Sequence, residues 1–600
     1  MSEERKSKCC PQLNCVSIID VPKIKLKIGD RKGASTNYFG LVVVGLDAAT
    51  IDPLMGFHFI LFLVSVSLRV RATLSQDIAH GSLQVHGTEA KAETGDNFIC
   101  ATIDWWPHDK CDYSHCPWGY SSVVNLDLTH PFLAKAIQAL KPLRIRLGGS
   151  LQDQVVYDVG SLESPCHPFQ KMKDGLFGFS KGCLHMKRWD ELHHFFNETG
   201  AIVTFGLNAL RGKHQISHHV WDGQWDPGNT YDFIKYTISK GYKIDSWELG
   251  NELSGKGIGA SVGVAQYGKD LIKLKQILDA LYENSNFKPL LVAPGGFYQK
   301  EWYDKLLQVS GSGIINVLTH HLYNLGPGSD AHLEQKILDP VRLSKIESIF
   351  SNLTETIQKH GPWTSAWVGE AGGAYNSGGR YVSNTFVNSF CALLWHRLMG
   401  KTVLEVSTDV SSPFLRTYAH CSKDRGKSRH NGKAFPCDLE VMNSNLRNHL
   451  FAYEDKTAYI YLPLPHSGGV TLLLINLSNQ THFILTVESH LIEGNEVTKS
   501  IHKENSFFEN LKNVFSWVGT KGSEVTFREE YHLTPKDDYL RSQTMVLNGI
   551  PLQLTNKGDI PTLEPVLSNV HSPVYIAPLS FAFIVYPNFD APACARHRKL

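Results

Sequence analysis

Residues 244–252 read IDSWELGNE: a short strand-like run with Ile244, Trp247 and Leu249 apolar that closes on Gly250, Asn251 and Glu252. Such a run suits a strand covered on both faces, and polar residues gathered behind its end are where a parallel barrel places its chemistry. The pattern recurs on both sides. Residues 98–104 (FICATID), 144–149 (RIRLGG), 201–208 (AIVTFGLN), 290–296 (LLVAPGG), 315–323 (INVLTHHLY) and 366–372 (AWVGEAG) are strand candidates of the same kind. Helical patterns lie between them, as at 131–140, 189–197 and 267–282. Strand, helix, strand is the repeat of a parallel sheet covered by helices. No glycine-rich dinucleotide loop follows the first strand, so the expected α/β architecture is a (β/α)8 barrel over 98–400 rather than an open doubly wound sheet.

The repeat yields seven strands, one fewer than a closed barrel needs. After the seventh comes one helical pattern, 385–399 (TFVNSFCALLWHRLM), and then directly the strand-like 402–407. From residue 401 the text changes to period-two alternation at 469–477, 481–488, 525–533, 544–552 and 572–586, with an Asn548-Gly549 turn. This predicts an antiparallel β-sandwich over 401–594, with 73–97 as an N-terminal strand joining it. Residues 426–468, rich in Lys, Arg, His and Asn, read as an insert in that domain.

Composition narrows the class. Among 600 residues, 59 Lys+Arg balance 58 Asp+Glu to a net charge of +1, without the concentrated basic surface that nucleic-acid binding requires. A hydrophobic share of 42% against 20% charged residues excludes a mainly disordered chain and a polytopic membrane protein.

Residues 57–68 (FHFILFLVSVSL) are too short to cross a bilayer and fit the apolar core of a signal peptide over 55–72, starting at Met55. A buried strand or short anchor helix is the other reading. Residues 1–54 then form an atypical N-terminal extension. Cys166 and Cys183 bracket a loop suited to a disulfide, and no CxxC pairing signals a structural zinc site. Sequons at Asn197, Asn352, Asn476 and Asn479 are usable in a secretory route.

Glu252 and Glu370 stand at the ends of the fourth and seventh strands. Barrel curvature can bring both over one pocket, and glycosidic cleavage needs such a pair: one acid to protonate the leaving oxygen, one carboxylate to attack carbon or activate water. Two unrelated glutamates closing strands for solubility are the bland alternative. No cofactor and no metal is required, and the histidines show no HExxH spacing.

At this point the chain resembles the heparanase-like proteins of plants, glycoside hydrolase family 79. The likeness is carried by CATIDWWP (100–107), RIRLGGSLQDQVVYDVG (144–160), TFGLNAL (204–210), DSWELGNELSG (245–255), THHLYNLGPG (319–328) and WVGEAGGAYNSGGR (367–380), and resumes at LLLINLS (472–478) and REEYHLTP (528–535). The resemblance implies a retaining β-glucuronidase or endoglucuronidase, with Glu252 as acid/base and Glu370 as nucleophile. It also implies that Asp104 and Asn251 hold sugar hydroxyls, that His321 and Tyr323 line the pocket and steer Glu370, and that Gly378 and Gly379 receive the uronate carboxylate through backbone N–H groups. Asn208 reads equally as a pocket residue or a cap. The resemblance further implies a Cys421–Cys594 disulfide, glucuronic-acid-containing glycans or proteoglycans as partners, and secretion to a cell wall, lysosome or vacuole with peripheral membrane association.

Two departures stand out. Relatives carry roughly forty more residues between the matches to Ser389-Phe390 and Ala392-Leu393, enough for the eighth strand and its loop. They also lack most of 426–468. A gene model with skipped and retained segments is one account, and an inactive spliced form that only binds carbohydrate is the other. A barrel glycosidase acting on a neutral sugar is a third, weaker expectation.

Overall fold

The structure is a computed structural model that describes residues 77–93, 99–162, 165–395, 402–408, 415–421, 437–438, 469–489, 527–555 and 558–587, with isolated positions beside them. The barrel strands are β2 (Ile99–Asp104), β3 (Arg144–Gly148), β4 (Ile202–Leu207), β5 (Ser246–Leu249), β6 (Leu290–Phe297), β7 (Val317–Pro327) and β8 (Ser365–Tyr375). All pair in parallel in that order, β2 to β8. Their near-continuous burial follows from cover on both faces, by barrel interior and by helices. Each strand matches a stretch expected from sequence. β5, however, ends at Leu249, so Glu252 lies in the following loop and not on the strand.

Among the described residues no full strand occupies the eighth position. Two residues, Cys437 and Asp438, lie there in parallel register, bridging Val368 of β8 to Ile99 and Cys100 of β2. They come from the stretch expected to be an insert in the sandwich, and that placement is corrected for these two positions. Both neighbours are edges with unpaired backbone groups, so even a two-residue bridge has hydrogen-bonding partners on each side.

The longer helices are α1 (Pro131–Ala139), α2 (Met186–Thr199), α3 (Gly228–Ser239), α4 (Val264–Leu281), α5 (Lys300–Ser310), α6 (Ile346–His360) and α7 (Val387–Trp395). Pro131 opens α1, where its missing N–H costs nothing, and His130 accepts from Phe132 N at the cap. α2 buries Trp189, Leu192, Phe195, Phe196 and Thr199, one helical stripe, and stops at Gly200 in left-handed conformation (φ 70°). Trp189 packs on Phe205 of β4 with ring centroids 5.1 Å apart, and Phe205 meets Phe233 of α3 at 4.9 Å. These aromatic contacts fix the helices to the sheet at mutual angles the ring quadrupoles favour.

The C-terminal strands form one predominantly antiparallel sheet. Its central members are Leu415–Cys421, Val470–Asn476, Ser580–Tyr586 and Phe527–Pro535. β1 (Asp77–Glu93) lies in the same sheet, antiparallel to Thr402–Thr408 and parallel to Thr481–Ser489. Val470–Asn476 is buried on both faces, which accounts for the apolar run from Leu472 to Ile475. Leu473 and Ile475 pack with Phe386, Phe390 and Cys391 in the core between barrel and sheet, while Val470, Leu472 and Leu474 pack with Leu83, Val85 and Phe483. α7 is thus the wedge that joins the two halves: Phe386, just before it, stacks on Phe581 at 5.5 Å.

Candidate active site

Arg146 is the centre of the site. Side chains alternate along β3, so Arg144, Arg146 and Gly148 all face the barrel interior. Gly148 is needed there, since a Cβ would stand 2.7 Å from the Arg146 guanidinium. The guanidinium donates through Nε to Glu248 Oε2 (2.6 Å), through Nη1 to Glu370 Oε1 (2.8 Å) and through Nη2 to Asn251 Oδ1 (2.9 Å). A planar fork with fixed N–H directions can join three elements in this way, and a lysine could not. One buried cation therefore ties β3, β5, the loop behind β5 and β8 to one another.

Glu252 has a left-handed backbone (φ 55°), rare for a residue with a Cβ and costing about 1–3 kcal/mol. Bonds on both sides hold it: its N–H donates to Gly295 O (2.7 Å), and its carbonyl accepts from Ile258 N (3.0 Å). Gly295 has φ 59°, and a Cβ there would lie 2.7 Å from Glu248 Oε1. The result turns the Glu252 carboxyl toward His321, whose Nδ1 is 2.9 Å from Oε1. The same nitrogen is 3.5 Å from Glu370 Oε2, and Tyr323 donates to that oxygen at 3.1 Å. One carboxyl oxygen each of Glu252 and Glu370 and a His321 nitrogen all lie within 4.8 Å of one another.

The two carboxyls are electrically unequal. Burial pushes the Glu252 pKa up; attraction to His321 opposes this, and repulsion from Glu370 adds to it. Burial works on Glu370 in the same direction, but there attraction to His321 and Arg146, with hydrogen bonds from Arg146 and Tyr323, brings the net shift below the ordinary carboxylate value. Asp104 at the end of β2 is raised well above its usual range, by burial first and then by Glu370. Gly149 (φ 97°) makes room for it, for a Cβ there would lie 2.3 Å from Asp104 Oδ1. Two carboxyls and an imidazole are also a donor set suited to a cation. Here the Arg146 cation already bonds one of the carboxylates.

Glu252, Glu370, Asp104, Asn251, His321 and Tyr323, singled out from sequence, therefore meet through direct contacts or strong mutual fields. Gly378 and Gly379 stand apart from them, in the wall of a cavity of about 620 Å³. The expectation for Gly379 is corrected: its N–H is committed to Ser383 Oγ (2.8 Å) and does not point to a substrate. Asn208 is a cap, with Oδ1 accepting from Leu210 N and Arg211 N and Nδ2 donating to Val155 O.

Cys166 and Cys183 form the expected disulfide, and Cys111–Cys116 is a second. Asn197, Asn352 and Asn479 are exposed. Asn476 is corrected as a glycosylation site: it is fully buried and its amide bonds Thr481 O and Ala577 O. The Cys421–Cys594 pairing, residues 1–54 and the leader at 55–72 lie outside the described residues or side chains. Among the described residues no helix is long and apolar enough to cross a membrane.

Sequence reasoning missed Arg146, Glu248 and Asp153. Asp153 accepts from Ala209 N (2.7 Å) and Asn251 N (2.8 Å), and burial lifts its pKa to about 7. The signal was present in RIRLGG: arginines two residues apart in a strand that must be buried need internal carboxylates.

A profile described as glycosyl hydrolase family 79, N-terminal domain, matches residues 80–395. Heparanase-like protein 1 of Arabidopsis thaliana is 51% identical over 588 residues, covering 90% of this chain and 100% of the relative. Heparanase-like protein 2 of the same plant is likewise 51% identical over 90% of this chain and 100% of its own. Baicalin-beta-D-glucuronidase of Scutellaria baicalensis is 32% identical, over 83% of this chain and 90% of its own.

Proposed function

Because this chain belongs to glycosyl hydrolase family 79, we propose that it is a retaining glycosidase cleaving β-glucuronosyl linkages by double displacement. The observation that carries the mechanism is the carboxyl pair: oxygens of Glu252 and Glu370 within 4.8 Å, with pKa values displaced in opposite directions. So short a separation leaves no room for a water between sugar and base, which favours attack by the carboxylate itself. Glu370, held toward its ionised form by His321, Arg146 and Tyr323, attacks the anomeric carbon. Glu252, kept protonated by burial, delivers its proton to the departing oxygen as that bond breaks. In the second half Glu252 takes a proton from water, whose oxygen displaces Glu370 and restores both groups.

Asn251 Oδ1 accepts from Arg146, which turns Nδ2 outward to a sugar hydroxyl. Asp104, held toward its protonated form, can both donate to and accept from a hydroxyl. Gly378 (φ 69°) remains the glycine offered to the uronate carboxylate. The proposed partners are glucuronic-acid-containing glycans or proteoglycans of a cell wall. The proposed compartment is the secretory route, with delivery to the wall, a lysosome or a vacuole, and two disulfides support an oxidising environment. A catalytically impaired carbohydrate-binding protein is the second reading, favoured by the two-residue span in the eighth barrel position.

The test is a pair of variants on an aryl glucuronide and a glucuronosyl disaccharide. Glu252→Gln should lose roughly 10²–10⁴-fold on the disaccharide and much less on the aryl substrate, whose leaving group needs little protonation. Glu370→Gln should be inactive on both. An adduct trapped on Glu252 instead of Glu370 would reverse the roles, and a wild-type chain inactive on every glucuronide would leave the second reading.

A further inference from the structure

We infer that Cys166, Cys183 and His185, with Asp158 behind the imidazole, form a site for a borderline-soft divalent cation, zinc first, once a dithiol has reduced the Cys166–Cys183 bond. The inference goes beyond the glycosidase reading and does not depend on it. The residues sit outside the barrel strands, on a parallel ribbon of Val155–Asp158 against Gly182–His185 and on the loop between the two. Asp158 and His185 are register partners, and Cys183 stands two residues before His185 on the same strand. Cys166 Sγ, Cys183 Sγ and a His185 ring nitrogen lie within 4.8 Å of one another.

The ligand chemistry fits. His185 Nδ1 is 2.8 Å from Asp158 Oδ2, so a neutral ring donates its Nδ1–H to that carboxylate and keeps a free lone pair on Nε2. Cys166 Sγ is 3.4 Å from Nδ1 and 3.7 Å from Nε2. A tetrahedral zinc ion, with bonds of about 2.3 Å to sulfur and about 2.0–2.1 Å to nitrogen, holds the two ligand atoms roughly 3.6 Å apart. Cys166 Sγ and Nε2 already stand at that spacing. A carboxylate behind a ligating imidazole fixes the tautomer and raises the basicity of the ligand. His185 is also the residue before α2, yet its side chain makes no cap bond, so the ring is not spent there. Two thiolates and an imidazole favour zinc over hard cations such as magnesium or calcium. The side chains of His185 and Asp158 are 58% and 39% exposed, which gives reductant and ion a way in.

The dithiol supplies two electrons and two protons: its own disulfide forms, the Cys166–Cys183 bond breaks, and two thiols result. The cation then takes both sulfurs as thiolates and releases their protons to water. Disulfide and metal are thus alternative clasps on one loop. Phe177 and Phe179 of that loop pack against Trp106, with ring centroids 5.9 and 6.0 Å away. A Cβ on Gly259 would stand 2.6 Å from the Phe177 ring, and Gly259 follows Ile258, whose N–H donates to the Glu252 carbonyl. In oxidising surroundings the disulfide ties this loop, and in reducing ones the cation does.

The test reduces the full chain anaerobically with dithiothreitol, removes the dithiol and titrates cobalt(II), whose sulfur-to-metal absorption reports thiolate ligation, and then zinc(II). A variant carrying Cys166→Ser and Cys183→Ser sets the background from the remaining cysteines. The reduced native chain should bind one cobalt ion more than that variant, and the unreduced chain should show no such excess. His185→Ala and Asp158→Asn should each weaken the excess binding by roughly tenfold or more. Zinc should raise the melting temperature of the reduced native chain above its value in chelator, and leave that of the double variant unmoved. Should the double variant fail to fold, the comparison rests on His185→Ala, a change at an exposed side chain. No excess over the double variant, excess binding indifferent to His185→Ala, or a Cys166–Cys183 bond that the dithiol opens only by unfolding the chain would overturn the site. Glucuronide hydrolysis is not a readout here, so failure of the glycosidase reading leaves these outcomes as they stand.

Discussion

Arg146 links the chemistry of the site to its stability. Its bond to Glu370 is a buried ion pair, and removing one partner strands a charge at a cost of about 3–5 kcal/mol. The pH signs follow from the shifts. Glu370 is depressed, so its stabilisation is present above the ordinary carboxylate value and lost as pH falls through the lowered one. Glu252 and Asp104 are raised, so their contribution is present below the ordinary value and lost as pH rises through the raised ones. Activity should be bell-shaped, with the acidic limb set by Glu370 losing its proton and the basic limb by Glu252 losing its own. Arg146→Gln leaves the attraction of His321 but removes that of Arg146, together with its hydrogen bond, from the groups that hold Glu370 low. The acidic limb of kcat/KM should then move to higher pH while the basic limb stays nearly fixed, and the maximal rate should fall on the order of 10²-fold as Asn251 and Glu370 lose alignment. A uniform fall at every pH would make Arg146 structural only. The residues proposed for acid–base roles were legible, because carboxylates, His and Tyr behind strand ends are conspicuous. Arg146 and Asp153 were not, because what a buried charge does depends on partners that only folding brings near.

Helix α7 decides how the halves of the molecule hold together. Phe386 and Phe390 meet Phe581 of the sheet, and the N–H groups of Phe386 and Val387 donate to the carbonyls of Ser542 and Leu540 (2.8 and 2.9 Å). Cys391 is buried in the same core, with its thiol pKa pushed far up by burial. Phe386→Ala should therefore cost about 3–5 kcal/mol. It should also expose Cys391 to a thiol reagent that leaves the native thiol unlabelled. Denaturant unfolding with timed labelling measures both, and rapid labelling of Cys391 in the unaltered chain would show that this core is not closed. The helix itself was readable from its apolar spacing. That it faces the sheet on one side and β8 on the other was not, since a buried stripe specifies that something covers it, not which element does so.

At the scale of the whole molecule, the eighth position of the barrel is the place where the described strands are least paired. β4 is paired along its length by β3 and β5, whereas among the described residues β2 meets only Cys437 and Asp438 on its open side. Hydrogen exchange followed by mass spectrometry should find peptides over Ile99–Asp104 exchanging at least roughly tenfold faster than those over Ile202–Leu207. Equal protection would mean that the open side is covered by more than this bridge. The count of seven strands, the change to β text after residue 401 and the carboxyl pair were all set by the sequence, because burial periodicity and polar strand ends are local properties of the chain. Local text could not say that Cys437–Asp438 would leave its own surroundings to lie between β8 and β2. Nor could it say that Asn476 would close a buried turn, or that Glu252 would be turned through a left-handed residue onto His321. Those outcomes rest on edges, cavities and buried charges that exist only once distant segments have met, so the tertiary structure alone decided them.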